Sequence, residues 1–291
     1  MSRRRGPVGP AEVLLVDKPD GPTSHDCVAA VRRVLGGRAG HAGTLDPFAT
    51  GLLVVLRGPA TRLAPYLLGL DKGYDVIARL GATTATGDRT AEVVATGAAP
   101  VSAEAVAAAL PALTGAIVQR VPAHSAVQVR GRRLYQLAHR GQALAEEELP
   151  TREVRVVRFA LLDFDAEAQR ARLAVECSSG TYVRRLVTDL GDLVGAGGYC
   201  EELRRTRVGP LAVTDARPLA DLPDRASVDP LDAVGHLPLV PVEEAEAEAL
   251  AHGRPVASAA ADGPVRVVAP TGFAGVGEAA AGRLRLRVRL A

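Results

Sequence analysis

The sequence lacks several features that would assign the protein to common classes. It has no tryptophan, one methionine and only 3% aromatic residues among its 291. Cys27, Cys177 and Cys200 are odd in number and far apart, so their spacing predicts neither a disulfide framework nor a zinc site. No apolar run approaches the roughly 18 residues that a membrane span needs, and the arginines at positions 3 to 5 precede no signal-like hydrophobic segment. The protein is therefore expected in the cytoplasm, away from membranes.

Lysine is also scarce, because Lys18 and Lys72 are the only two, and almost all positive charge is on arginine. Guanidinium groups can bind phosphate through paired hydrogen bonds and can stack on bases. The net charge of +2 does not by itself indicate a nucleic-acid binder. Two clusters without internal acidic residues favour either an anionic partner or a solvated surface. They are Arg130, Arg132, Arg133 and Arg140, and Arg204, Arg205 and Arg207.

Apolar residues are plentiful, at 47% of the chain, which is enough for one large domain and a small one. Strands predicted from apolar runs and turn residues come in succession without regular helical crossovers. This order predicts an α/β mixture of the α+β type, with a mixed, largely antiparallel sheet. The predicted strands are 12–16, 52–56, 74–80, 92–95, 154–164, 171–177, 265–269 and 283–289. The predicted helices are 24–35, 102–110, 182–190 and 243–251. Ser24 is predicted to cap the first helix, Gly36 and Gly37 to end it, and Gly191 and Gly195 to end the third.

A change of composition near residue 237 predicts two domains. Residues 1–236 would form the larger domain, and residues 237–291 a small one that ends on strict alternation of arginine with apolar residues. Within the larger domain, residues from about 118 to 150 interrupt the strand pattern with Arg, Gln and His. A long insertion of this kind in a compact domain is usually functional or disordered. We therefore expect an inserted arm there.

One loop has the composition of a reactive site. The segment Gly40–Gly51, GHAGTLDPFATG, places Asp46 in a glycine-rich loop between a predicted helix and a buried strand. A carboxylate held there could be a nucleophile, although an Asp before proline often serves only to stabilise a turn. The chain has no dinucleotide-binding fingerprint, no phosphate-loop lysine and no histidines at metal-ligand spacing, so neither a cofactor nor a metal is expected.

This loop resembles the catalytic motif of the pseudouridine synthases, specifically the TruB family, which modifies uridine 55 of tRNA. Four further segments are similar to that family's motifs, in the same order. Asp17–Ser24 is similar to its N-terminal motif, Lys72–Tyr74 to its tyrosine-bearing strand, Ser179–Arg184 to its second active-site segment and Glu202–Arg205 to a late strand. The likeness extends from about residue 11 to residue 210.

The resemblance implies an isomerase that converts uridine 55 in the T-loop to pseudouridine after flipping the base out. Asp46 would attack the uridine, either at C1′ or after formation of a glycal. Arg184 would pair with Asp46 and keep its carboxylate ionised. Tyr182 would remove the C5 proton or position the group that does so, and Tyr74 would stack on the target base. Each of the tyrosines has a core-packing role as the alternative.

Other residues are implied in holding the RNA. His41 would contact the extruded bases, Leu203 would line the pocket, and Lys18 of the N-terminal motif would help to bind the substrate. The arm would cover the T-loop through phosphate contacts, which position RNA without reading its sequence. The last 55 residues, 237–291, resemble a short RNA-binding module of the PUA type.

The chain departs from the family pattern in its arm and second active-site segment. Ala123, His124 and Gln128 stand where a proline, an aromatic residue and a lysine are usual, and Ser179 stands where a basic residue is common. These departures concern the grip on RNA, whereas the proposed catalytic groups are all present.

Two other functions share some of these features. A guide-RNA-dependent relative has the same catalytic motifs but works with protein partners, and an RNA-binding folding factor would grip the tRNA elbow without chemistry. The arm and the lack of a long basic tail favour the stand-alone enzyme, since such an insertion is where RNA binding would occur. The expected partner is the tRNA T-arm, with no obligatory protein partner and a monomer as the default state.

Overall fold

The computed structural model describes residues 10–290 except 124, 126, 130, 135, 136, 138–143 and 273. His124, Arg130, Arg140 and the arginines at positions 3 to 5 lie outside the described residues, as does the side chain of Arg133. The α-helices are α1 (Ser24–Leu35), α2 (Ala64–Leu68), α3 (Ala103–Ala109), α4 (Val183–Leu193), α5 (Pro230–Ala233) and α6 (Glu244–Ala251). In the part of the chain that the structure describes, none of these helices is long and apolar enough to cross a membrane.

The described residues also form twenty strands. They are β1 (Glu12–Lys18), β2 (Ala39–His41), β3 (Thr50–Arg57), β4 (Lys72–Leu80), β5 (Ala82–Thr84), β6 (Val93–Ala95), β7 (Gly115–Arg120), β8 (Gln128–Val129), β9 (Arg132–Arg133), β10 (Thr151–Asp165), β11 (Arg170–Cys177), β12 (Gly198–Val208), β13 (Leu211–Ala212), β14 (Arg217–Pro218), β15 (Ser227–Val228), β16 (Leu239–Pro241), β17 (Val256–Ala257), β18 (Gly263–Val268), β19 (Ala274–Ala280) and β20 (Arg283–Arg289).

Helix α1 begins at a reciprocal capping box. The Asp26 amide donates to Thr23 Oγ1 at 3.1 Å, and the Thr23 amide donates to Asp26 Oδ2 at 2.9 Å. These two bonds satisfy backbone groups that the first helical turn leaves without partners. The prediction that Ser24 caps the helix was therefore wrong, since Thr23 is the cap. Gly36 ends the helix, as predicted, with a φ of 68° that favours glycine.

The described residues form two compact units. The first comprises the described residues up to Pro47, Gly51–Gly69 and the chain from Val208 onward; the second comprises Phe48–Thr50 and Leu70–Arg207. In the first unit β1 pairs antiparallel with β3, from Glu12 opposite Arg57 to Lys18 opposite Gly51. Strand β14 runs parallel to β1, and β2 pairs antiparallel with β3. This register brings the end of β1 next to the start of β3, where the glycine-rich loop returns to the sheet.

In the second unit the strand order is β12-β4-β11-β10-β7. The pairs β4–β11, β10–β11 and β7–β10 are all antiparallel. Together with the parallel pair in the first unit, this confirms the predicted α+β class with a mixed, largely antiparallel sheet. The predicted strands are present, although each differs from its predicted bounds by a few residues except for the last.

The C-terminal part of the first unit has a separate sheet of five strands in the order β16-β18-β19-β20-β17. Apolar residues of these strands and of α6 form a shared core that includes Leu250, Val267 and Leu284. On β20 the alternation is as predicted: Leu284 and Val288 are buried, and the arginines between them are exposed. A β-rich C-terminal module is thus confirmed, while the boundary between residues 236 and 237 stays a prediction.

The predicted arm has an ordered root. Its first residues, from Val118, belong to β7, and the Val121 amide donates to the Pro150 carbonyl at 2.9 Å, directly before β10 begins. Further along, β8 and β9 pair as a short antiparallel hairpin. Entry to and exit from the arm are therefore fixed by the antiparallel β7–β10 pair.

Helix α4 continues past Gly191, the first of the two glycines predicted to end it, and ends at Leu193, two residues before Gly195. Gly191 lies inside the helix, and the backbone of Gly197 and Gly198 packs directly against it. A Cβ atom at position 191 would lie 2.3 Å from the Gly197 carbonyl carbon and 2.3 Å from the Gly198 nitrogen. The glycine thus serves close packing of the helix against the start of β12 rather than termination of the helix.

We expect Gly191→Ala to lower the free energy of unfolding by about 1–3 kcal/mol or more, because overpacking a backbone contact forces the helix away from β12. Gly69→Ala is the matched control, since a Cβ atom there meets nothing within 4 Å. Urea unfolding of both variants measures the difference. Equal midpoints for the two variants would contradict the close approach at Gly191.

Candidate active site

The loop between β2 and β3 holds Asp46 in a fixed setting. Asp46 is half-buried, and Leu45 directly before it and Phe48 two residues after it are buried with only 4% of their surface exposed. Gly43, with φ of 108°, and Gly51, with φ of 98°, adopt backbone conformations that side chains with a Cβ atom rarely take. The apolar neighbours anchor the loop while the two glycines allow its sharp path. A carboxylate is thereby presented from a rigid turn.

Lys18 holds the loop from the end of β1. Its side chain is fully buried, and its Nζ donates to the Pro47 carbonyl at 2.8 Å and to the Pro19 carbonyl at 3.0 Å. The Gly21 amide donates to the same Pro47 carbonyl at 3.0 Å. Hydrogen bonds from a charged donor are the stronger ones, and a buried ammonium without them would be costly. The observed contacts therefore give Lys18 a positioning role beside Asp46.

Ser24 holds the loop on the other side of Asp46. Its hydroxyl donates to the Leu45 carbonyl at 2.9 Å and accepts from the Leu45 amide at 2.8 Å. This is why Ser24 is not available as the cap of α1. The residue before Asp46 and the residue after it are thus each bound by a buried side chain of the N-terminal motif. His41, also predicted for the site, is half-buried at the end of β2, opposite Val55.

Arg184 lies in the first turn of α4, only 4% exposed. Its Nη1 donates to Asp88 Oδ2 at 3.0 Å and to the Thr86 carbonyl at 2.8 Å. The other carboxylate oxygen of Asp88 accepts from the Thr86 hydroxyl at 2.8 Å and from the Thr90 amide at 2.9 Å. Both members of the Arg184–Asp88 ion pair are buried, with 5% of each side chain exposed. The guanidinium is therefore held in one orientation.

Tyr182 is the residue directly before α4, and Gln119 of β7 holds its backbone. The Tyr182 amide donates to Gln119 Oε1 at 2.9 Å, and Gln119 Nε2 donates to the Tyr182 carbonyl at 3.1 Å. Gln119 is 1% exposed. The side-chain amide of Gln119 thus fixes the main chain at Tyr182. Because its oxygen and its nitrogen both have partners there, the buried glutamine avoids a desolvation cost.

Tyr74 is almost completely buried on β4, and its hydroxyl is hydrogen-bonded to the side chain of Arg205 on β12. Arg205 is 1% exposed, and burial lowers the pKa of its guanidinium, an effect that Tyr74 opposes. Nearby, burial and the charge of Arg205 lower the pKa of the Lys72 amine to about 8. Two cations in a buried environment thus lie beside the tyrosine. Leu203, also predicted for the site, is buried two residues before Arg205.

The prediction for the cluster 204–207 was wrong for Arg205. Arg205 is neither on a solvated surface nor exposed to an external anion, because it is buried against Tyr74. Arg207 Nη2 lies 3.0 Å from Glu176 Oε2 on the strand β11. The absence of acidic residues within a short sequence cluster therefore did not indicate the absence of a partner, since neighbouring strands supply one.

The sequence interpretation missed three residues of this arrangement, namely Asp88, Gln119 and Ser24 in its loop-holding role. Asp88 lies among Thr83, Thr84, Thr86 and Thr90, a composition that reads as a turn. Gln119 did have a signal, because a neutral polar residue in an apolar strand that becomes buried must find hydrogen-bond partners. The partner itself, Tyr182, is distant in sequence and could not be read from it.

Three family models match the chain in succession. Residues 32–183 match the TruB family pseudouridylate synthase N-terminal domain, residues 184–245 the tRNA pseudouridylate synthase B C-terminal domain, and residues 238–288 the pseudouridine synthase II TruB C-terminal domain. The first match alone covers more than half of the chain. It includes Asp46, Tyr74, Gln119 and Tyr182.

Solved structures and curated relatives agree with these matches. A chain of an H/ACA RNP bound to a substrate RNA containing 2′-deoxyuridine is similar in fold, with a TM-score of 0.74 over 96% of this chain and 85% of that one, at 24% identity. Proteins named tRNA pseudouridine synthase B are 44% identical in Thermobifida fusca (89% of this chain, 91% of that protein) and 42% identical in Aromatoleum aromaticum (91% and 88%). The chain belongs to the TruB family of pseudouridine synthases.

We expect Asp88→Asn to lower the free energy of unfolding by about 3 kcal/mol, because it removes the carboxylate charge from a buried ion pair and leaves the Arg184 charge in place. Asp75→Asn is the matched control, since Asp75 pairs with Arg172 at 3.6 Å where about half of each side chain is exposed. Exposed pairs contribute about 0–1 kcal/mol. Denaturant unfolding separates the two, and equal losses would contradict the structural importance of the buried pair.

Proposed function

We propose that this protein is a tRNA pseudouridine synthase that isomerises uridine 55 in the T-loop, with Asp46 as its nucleophile. The observation that supports this most directly is the double fixation of the Asp46 loop by Lys18 and Ser24. A nucleophile must be held in the geometry of attack, because lost positioning lowers the rate of a reaction between bound groups. The membership of the chain in the TruB family supplies the reaction class.

The reaction needs a nucleophile, a pocket that retains the freed base and a group that accepts a proton. The C1′–N1 bond breaks, the base rotates, C5 bonds to C1′, the C5 proton leaves and N1 takes up a proton. We infer that Asp46 acts on the ribose, directly at C1′ or after glycal formation. Tyr182 accepts the C5 proton or positions the group that does so, and Tyr74 stacks on the base. These are polar and aromatic side chains alone, and no redox step occurs.

Arg184 is proposed as the cation that pairs with Asp46. Its observed bonds to Asp88 and Thr86 use one nitrogen of a guanidinium with five N–H donors. Asp88 thereby orients the guanidinium. An oriented guanidinium can bind a carboxylate through charge-assisted hydrogen bonds. In this proposal Asp88 is a positioning residue and Arg184 acts on the reacting group.

The test uses RNA with tritium at uridine C5, because pseudouridine formation releases that hydrogen to water. Full tRNA and an isolated T-arm stem-loop are incubated with wild type, Asp46→Asn and the control Asp163→Asn, a change at an exposed position on β10. We expect Asp46→Asn to lose activity by a factor on the order of 10⁴ or more, as when other enzymes lose their nucleophile, with unchanged RNA binding. Asp163→Asn should match wild type.

Each other outcome has a distinct meaning. Release by Asp46→Asn at the wild-type rate would exclude Asp46 as the nucleophile. Binding of full tRNA without release by wild type would indicate an RNA-binding factor, since binding by arginines and stacking does not need the nucleophile. Release only after addition of a guide RNA and protein partners would indicate the guide-dependent type. Release at a uridine other than 55, located by sequencing, would revise the position.

The C-terminal sheet is proposed to add a second contact with the same RNA. Arg283, Arg285 and Arg287 are exposed at alternate positions of β20, and within the described part of the chain none forms an ion pair. Tyr66 is close to Arg287 and to Glu278. Three arginines of β10 and β11 do have acidic partners. Arg158, Arg170 and Arg172 are each within 4 Å of a carboxylate. Arginines without internal partners, beside an aromatic ring, suit a phosphate backbone.

We expect the triple change of Arg283, Arg285 and Arg287 to Gln to weaken binding of full tRNA and to reduce the slope of log K against log salt by about one per lost phosphate contact. Binding of the T-arm stem-loop should not change. The control removes the same charge by changing Arg158, Arg170 and Arg172 to Gln. Equal weakening by both triple variants would indicate a general charge effect and contradict a specific surface on β20.

A further inference from the structure

The loop before Tyr182 is attached to the two strands from which the arm projects. The Ser178 amide donates to the Arg155 carbonyl at 2.8 Å, and the Arg155 amide donates to Ser178 Oγ at 2.9 Å. Arg152 lies over the next part of the loop, because a Cβ atom at Gly180 would be 2.6 Å from Arg152 Nη1. Residues 178–180 are therefore held by β10, the strand that directly follows the arm in the chain.

The other strand of the arm root holds Tyr182 itself. Gln119 of β7 forms the two hydrogen bonds with the Tyr182 backbone, at 2.9 and 3.1 Å. In the β7–β10 pair, Gln119 is directly opposite Arg152. The two cross-strand neighbours thus contact the same loop, one at Gly180 and the other at Tyr182. One residue further along each strand, Arg120 is opposite Thr151, after which the arm begins.

We propose that Gln119 is a positioning residue that couples the root of the arm to Tyr182. The inference rests on the role proposed above for Tyr182. In it, Gln119 holds the backbone from which the Tyr182 side chain projects. Both hydrogen bonds come from one side-chain amide on β7, so the position of the Tyr182 backbone is tied to the strand that leads into the arm.

This arrangement predicts a specific kinetic signature. Removing the amide leaves the arm and its RNA contacts intact, so the affinity for RNA is kept. The backbone at Tyr182 gains freedom, and a displacement of about 1 Å at a reacting group can cost about 100-fold in rate. The loss should therefore appear in kcat rather than in KM.

The chain offers a matched control in Gln169. Its side-chain amide brackets another backbone residue in the same way, accepting from the Val101 amide at 2.8 Å and donating to the Val101 carbonyl at 3.2 Å. Gln119→Met and Gln169→Met thus remove the same pair of hydrogen bonds at two places in one unit, and Gln169→Met also removes a bond from Nε2 to the Ala166 carbonyl at 2.8 Å. Only the first place adjoins Tyr182.

The experiment compares wild type with both variants by tritium release from the T-arm stem-loop, by RNA binding and by hydrogen exchange of the segment 178–184. For Gln119→Met we expect kcat to fall about 10- to 100-fold with KM and RNA affinity nearly unchanged, and faster exchange in that segment. For Gln169→Met we expect wild-type kcat and wild-type exchange there. If Gln119→Met does not fold, Gln119→Glu serves instead, because it keeps the acceptor for the Tyr182 amide and removes the donor.

An unchanged kcat in the Gln119 variant, or an equal fall in the Gln169 variant, would overturn the proposal and leave Gln119 a purely structural residue. A fall that is accounted for by weaker RNA binding would also overturn it. Failure of the proposed function would give a different result, because wild type itself would then release no tritium.

Discussion

The buried ammonium of Lys18 is the constraint on which the Asp46 loop depends. An unpaired charge in an apolar interior is costly, so the carbonyls of Pro19 and Pro47 must stay within reach of Nζ. This requirement joins the end of β1 to the residue that follows Asp46. Ser24 adds the second attachment, through Leu45. With both neighbours bound, the carboxylate has little freedom although it belongs to a loop, and loops are ordinarily the mobile parts of a fold.

In the second unit, two residues proposed for the site are also held by hydrogen bonds, one from a charged group and the other from a neutral amide. Arg184 is oriented by Asp88, which is itself held by threonine and backbone donors. Tyr182 is fixed through its main chain rather than its side chain. The side chain is thus left to interact with a substrate. In both cases a residue distant in sequence from the proposed catalytic group determines its position.

Much of this architecture could be predicted from the sequence. Apolar alternation located the strands, and it located β20 to the residue, because one face of that strand is buried and the other is not. The proposed site residues followed from motifs within short segments. The partners of those residues could not be predicted in the same way: Asp88 with Arg184, Gln119 with Tyr182 and Glu176 with Arg207 are distant in sequence and meet only in the folded chain. Gly191 was misread because close packing and helix termination both require glycine.

The burial of both lysines has a consequence for the chemistry of the surface. Lys18 is fully buried and Lys72 is 7% exposed, and the sequence contains no other lysine. The folded protein therefore presents no accessible ε-amine to acylating reagents, amine-directed cross-linkers or acetyltransferases. Modification of lysine cannot tune its surface charge, which is carried by guanidinium groups that stay protonated at any physiological pH. Appearance of acylated Lys18 or Lys72 would accordingly report unfolding rather than surface reactivity.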